Sequence, residues 1–440
     1  MATPSRISNE YSQTPYAIAH KTSSFKDFLY RNGLNFAPDV FCAMGRGLSA
    51  SGVGIMSYSR KLQSTTFGAP FVFAGGLIIT LLGMASLYAG NQVAEVQGYV
   101  KASQNAIQQH EQSGDYGAAL KIARNSYEDL LKMGLSQDAR NFSQTVKRLE
   151  EKLLAFGSSR LLFDENYQPR VKLLQLLKIV GMEPLNKSEK AIVQINNWAQ
   201  KNLLRHGERW HEQTDRFEEL KPKIKPLLNE LGFVDDSSPH FKEYQGAIVH
   251  GALLPRVRLR LQYLIEQWKQ GVRFSHIYFL SGERPLEAQH ENQSTFMDDS
   301  GSLLKIRKEW SVPLEFPKTE SEMTQLIWEQ SEIPEDMRKE VEVHFINAPM
   351  KKDSKSDRLI RPTTDDTVET WFKALPPHGR YLAITNAPYT NRQDLVVRAI
   401  APKGYGFDTV GSGSKGQEKT AIFLDELARF IFQIKQLSEK

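Results

Sequence analysis

The sequence predicts an α/β protein with an N-terminal transmembrane helix, a helical middle region and a C-terminal three-layer, Rossmann-like domain on a parallel sheet. Three observations carry this. No charged residue lies between Lys61 and Glu95. Residues 92–240 show apolar positions at helical spacing and little strand pattern. From about residue 241, short apolar runs alternate with amphipathic helical runs, the pattern of a parallel sheet covered on both faces.

In chain order, residues 1–66 form a tail rich in Ser, Thr, Asn, Tyr and Pro in its first half. Its segment 40–58 is apolar and small but broken by Arg46 and four glycines. That segment reads as interfacial, or alternatively as the first arm of a membrane hairpin. The stretch 69–90, within a membrane region at 67–91, would span roughly 33 Å as a helix, against a hydrocarbon core of about 30 Å. Arg6, Lys21, Lys26, Arg31, Arg46, Arg60 and Lys61 precede it, and Lys101 is the first cation after it. The positive-inside rule then puts the N-terminus in the cytoplasm and the large C-terminal part on the opposite side of a single-pass membrane protein. The hairpin alternative would return that part to the cytoplasm.

Residues 92–158 read as a helical hairpin region, tetratricopeptide-like in the run SerGlyAspTyrGlyAlaAlaLeu, with one further helix. Residues 159–240 continue as a helical linker or scaffold. His206 and His211 are five apart, a spacing that does not place both on one helix face, so no metal site is read there. In the α/β domain, residues 241–440, strands are expected at 246–253, 276–282, 341–348, 380–387 and 407–410. Helices are expected at 255–271, 320–330, 363–375, 391–400 and 418–437.

Composition narrows the function. Lys+Arg number 56 against 51 Asp+Glu, a mild excess without a basic block, which does not point to nucleic acid. Cys42 is the single cysteine, which excludes an intramolecular disulfide and a cysteine zinc cluster. No nucleophile elbow, dinucleotide fingerprint or Walker loop occurs, and GlySerGlySerLysGly at 411–416 lacks the Walker spacing.

Ligands of open parallel sheets bind beyond the carboxyl ends of the strands. The residues expected there are Gly251 and Arg256, then Ser281, Gly282, Glu283 and Arg284, then Asn347, and then Thr385, Asn386, Tyr389 and Arg392. Arginines, hydroxyls and helix N-termini together suit a phosphate-bearing or otherwise anionic, nucleotide-like small molecule. His250, Glu283 and Glu322 are the candidate acid–base groups. Asp365 and Asp366 also fit as helix caps, and no particular cofactor is indicated.

The order of these features resembles the SanA/YdcF-type (ElyC/SanA/YdcF) family over residues 245–400. The resemblance rests on Gly251, an arginine at Arg256 or Arg258, Ser281 and Gly282, an acidic helix start at Glu320 or Glu322, Thr364 to Thr367, and Pro388, Tyr389 and Arg392. The commoner family pattern has SerGlyGly where Ser281, Gly282 and Glu283 stand, and histidine where Tyr389 stands. The resemblance implies a membrane-tethered α/β domain working in the cell envelope, on lipid-linked precursors or barrier maintenance, with Thr364 and Asp366 joining the other residues around the crevice. Two other readings stay open: a helical scaffold with an inert α/β domain, and a secreted effector that inserts into a host membrane.

Overall fold

The computed structural model describes residues 94–205, 216–298, 304–353, 357–414 and 418–439. The stretches 40–58 and 69–90 and the pair His206 and His211 lie outside these residues. No helix among the described residues is long and apolar enough to cross a membrane.

The chain divides into two compact units. The first is built from helix α1 (94–113) as far as Gln112, most of α2 (Tyr116–Lys132) and α3 (Ser136–Phe156) as far as Glu150. Gly114 has a φ of +79°, a left-handed conformation that ends α1 at little cost for a residue without a Cβ. Ala119, Leu120 and Ala123 of α2 and Phe142 and Leu149 of α3 are buried. Tyr99 donates a hydrogen bond to Asp129 at 3.0 Å, tying α1 to α2.

The second unit holds residues 113–117 and everything from Glu151 onward. At its centre is a parallel sheet of β1 (Gly246–His250), β2 (His276–Gly282), β3 (Glu342–Ala348), β4 (Gly379–Asn386) and β5 (Tyr405–Ser412), in the order β3-β2-β1-β4-β5. Helix α7 (Leu254–Lys269) follows β1, and α8 (Gln293–Met297), α9 (Glu320–Gln330) and α10 (Glu335–Glu340) lie between β2 and β3. Helices α11 (Thr364–Lys373) and α12 (Thr390–Ile400) precede and follow β4, and α13 (Thr420–Leu437) follows β5.

Alternation along the strands builds both outer layers. Ile248, Tyr278, Tyr381, Ala383 and Phe407 form one buried face with Val368 and Trp371 of α11 and Val397 of α12. Ala247, Val249, Ile277, Phe279, Leu382 and Ile384 are buried on the other, where α7 and α9 pack. The three-layer parallel-sheet architecture expected from the sequence is therefore present.

Residues 159–240, expected as a linker or scaffold, supply a further layer. Helices α4 (Val171–Ile179), α5 (Ala191–Asn202) and α6 (Lys221–Glu230) share one core with α13. Helix α5 packs on α13 and α4 packs on α6, so that Leu173, Leu177, Ile195 and Leu228 belong to one core with Phe423, Leu427, Phe430 and Ile431, together with Leu395 of α12.

Candidate functional site

The strand order reverses between β1 and β4, because β1 leads to β2 on one side while β4 pairs on the other. At such a switch point the loops leaving the two strands diverge and open a crevice. A cleft of about 480 Å³ lies there, lined from β1, the β1–α7 loop, α7, and the starts of α9, α11 and α12. Gln200, Leu204, Arg429 and Phe432 extend its wall from the helical layer.

Gly251 directly follows β1 at the floor of this cleft. Its amide donates to Leu280 O at 2.7 Å. A Cβ at 251 would stand 2.6 Å from Glu320 Oε1 and 2.7 Å from Leu280 O, so the close approach of these atoms requires glycine.

Arg260, inside α7, turns back beneath the floor. Its Nη1 donates to the carbonyls of His250 at 2.7 Å and Gly251 at 2.9 Å, and its Nε donates to Asn386 Oδ1 at 3.0 Å. One guanidinium thus ties the carboxyl ends of β1 and β4 across the switch point. It is 2% exposed, and no carboxylate among the described residues comes within ion-pair distance. Burial, and then the charge of Arg256, push its pKa down to about 9, so it stays cationic at neutral pH. Its hydrogen-bond acceptors are all neutral, and the Glu320 carboxylate offsets the cost of the buried charge only from beyond ion-pair distance, so an anion in the cleft would relieve it further.

The other arginines are differently placed. Arg284 makes a bidentate pair with Glu291, at 2.8 and 2.9 Å, and lies 3.5 Å from Glu320. Arg392 Nε donates to Glu426 at 2.6 Å, and Arg429 pairs with Asp425 at 3.0 Å. Arg256 lies over the Tyr389 ring at 4.6 Å and approaches Glu418 at 3.6 Å. Arg361 lines the cleft beside Thr363, Thr364 and Asp365 at the start of α11.

Burial shifts the titration of two groups in the cleft. Both ring nitrogens of His250 lack a hydrogen-bond partner, and burial, followed by the charges of Arg260 and Arg392, pushes its pKa down to about 3. Its imidazole is neutral at physiological pH. Burial pushes the Glu320 carboxyl up; Arg284 opposes this and Glu291 adds to it.

Of the residues expected at the site, Gly251, Arg256, Arg284, Thr364, Tyr389, Arg392 and His250 line the cleft. The others have structural partners elsewhere. Ser281 is buried and donates to Ile346 O at 3.2 Å, and a Cβ on Gly282 would meet Pro362. Glu283 is exposed and accepts from the Met350 amide at 3.2 Å. Glu322 accepts from the Thr319 amide at 3.1 Å in the capping box of α9. Asp366 caps α11 through the Thr363 amide at 2.7 Å and pairs with Lys351 at 2.7 Å. Burial works against its ionisation, but Lys351 and Thr363 outweigh that and hold its carboxyl below the usual range.

Sequence reasoning missed Arg260, Arg361 and Arg429. Arg260 was legible in one respect: it stands four residues after Arg256, hence on the same face of α7. Arg258, the alternative in the resemblance, turns away and donates to the carbonyls of Thr295, Phe296 and Asp298 around the end of α8. No protein-family model matches the chain, and neither a curated protein nor a solved structure is significantly similar to it.

Proposed function

We propose that the α/β unit binds a phosphate-bearing small molecule in the cleft beyond β1 and β4. The observation that carries this is Arg260, a buried cation held only by neutral acceptors at the cleft floor, with Arg256 one helical turn away. The Nη2 group of Arg260, which takes no part in those bonds, and the Arg256 guanidinium can each donate to the oxygens of a diphosphate. A volume of about 480 Å³ falls in the range of small-ligand pockets and suits a nucleotide-sized molecule.

The uncharged stretch 69–90 supports a single membrane span, and the distribution of Lys and Arg supports an α/β unit across the membrane from the N-terminus. Together with the resemblance to the SanA/YdcF-type family, this favours a ligand of the cell envelope such as a lipid-linked diphosphate. Pyrophosphate titrated calorimetrically into the full-length chain in detergent is the direct test. Saturable one-to-one binding is expected. Arg260→Gln and the more accessible Arg256→Ala should each weaken it about 10- to 100-fold, the loss of a charge-assisted hydrogen bond. Unchanged affinity in both variants would remove the cleft from consideration.

A further inference from the structure

The amino ends of β2 and β3, at the opposite end of the strands from the cleft, carry a second cluster of chemically competent side chains. The parallel register sets His276 against Glu342 and Tyr278 against His344. Residues two apart on a strand share a face, so His276, Glu342 and His344 project together near the outer edge of the sheet. His276 Nδ1 is 3.2 Å from His344 Nε2 and 3.5 Å from a Glu342 oxygen, and His344 Nε2 is 3.6 Å from the other Glu342 oxygen. Donors at zinc–ligand distances of about 2.0 to 2.1 Å around a tetrahedral centre stand roughly 3.3 to 3.4 Å apart. The three separations bracket that value, with the carboxylate facing each imidazole through a different oxygen.

The surroundings hold this arrangement ready. The ring of Tyr278 stacks on His344 with centroids 4.5 Å apart and planes inclined by 11°, which fixes the imidazole plane. Both histidines sit on hydrogen-bonded strands rather than loops, so the donors are positioned by the sheet. The side chains of His276, Glu342 and His344 are 20%, 67% and 29% exposed, leaving an ion free access from solvent.

We propose that His276 Nδ1, His344 Nε2 and the Glu342 carboxylate bind one divalent transition-metal ion, with water completing the tetrahedron. Two imidazoles and a carboxylate are a donor set for zinc, whereas calcium and magnesium take oxygen ligands. The site is independent of the cleft and does not rest on a phosphate ligand.

The test is titration of zinc chloride alone into the metal-free, untagged full-length chain, followed by calorimetry, with cobalt(II) as a spectroscopic probe. One ion per chain, with micromolar or tighter affinity and the visible absorption of tetrahedral cobalt, is expected. His344→Gln and His276→Gln should each lose at least the 10- to 100-fold in affinity that even an outer-shell substitution costs a metal site. His290→Ala should leave binding unchanged. Circular dichroism melts without metal confirm that the variants fold, and the more exposed Glu342→Gln serves if a histidine variant does not. No binding below millimolar zinc, or equal affinity in the folded variants, would overturn the assignment.

Discussion

Gly251 shows how one atom can decide whether a cleft exists. A methyl group there would collide with the Leu280 carbonyl, which belongs to the sheet, and with the Glu320 carboxylate. Gly251→Ala should therefore lower stability by about 1 to 3 kcal/mol, as other overpacking substitutions do, and weaken pyrophosphate binding by displacing Glu320 into the cleft. A thermal melt and the calorimetric titration check the two effects separately. At this scale the sequence was informative wherever a residue follows a strand. Gly251, Arg284 and Tyr389 could be placed from strand ends alone. It was less informative where the partner is remote: nothing local to Arg392 reveals that Glu426 on α13 faces it, and nothing local to Arg284 reveals Glu291.

Among the elements, α9 depends most visibly on its first turn. Thr319 and Glu322 close a reciprocal capping box, so two amides at the helix start are satisfied by side chains. Glu320, between them in sequence, is thereby delivered to the cleft wall. Thr319→Ala should cost about 1 kcal/mol, measured by urea unfolding. Glu322→Gln should cost less, because an amide oxygen can still accept from the Thr319 amide. The boundaries of α9 are readable as 320–330 because Glu320 and Glu322 give it the acidic first turn that a helix start favours. The excursion between β2 and α9 was not readable. It carries α8 and Glu291, and its isolated bridge between Pro285 and Thr319 pairs residues 34 positions apart.

Across the whole molecule, Asp408 joins β5 to the segment that leads into β1. It is 2% exposed and accepts from the His240 amide and ring at 2.7 Å and from the Tyr244 hydroxyl. Burial opposes its ionisation, but the charge and hydrogen bonds of His240 and the Tyr244 hydroxyl outweigh it, holding the carboxyl below the ordinary aspartate range. A carboxyl depressed in the folded state is protonated more readily when unfolded. Its stabilisation is therefore complete above about pH 4 and is lost as pH falls through its lower folded value. Asp408→Asn should destabilise the protein by about 3 kcal/mol at pH 7, and the difference from wild type should shrink toward pH 2 in urea titrations. The alternation of strands and helices made the sheet legible. The union of 159–240 with α13 was hidden, because amphipathic helices reveal a buried face but not its partner. That union carries a consequence in time. Ile192, Ile195 and Ala199 of α5 emerge from the ribosome more than two hundred residues before Phe423, Leu427 and Phe430 of α13, the helix on which α5 packs. Until α13 has been made, the side of α5 that it covers has no native partner, so this layer can lock only after the entire sheet has been synthesised.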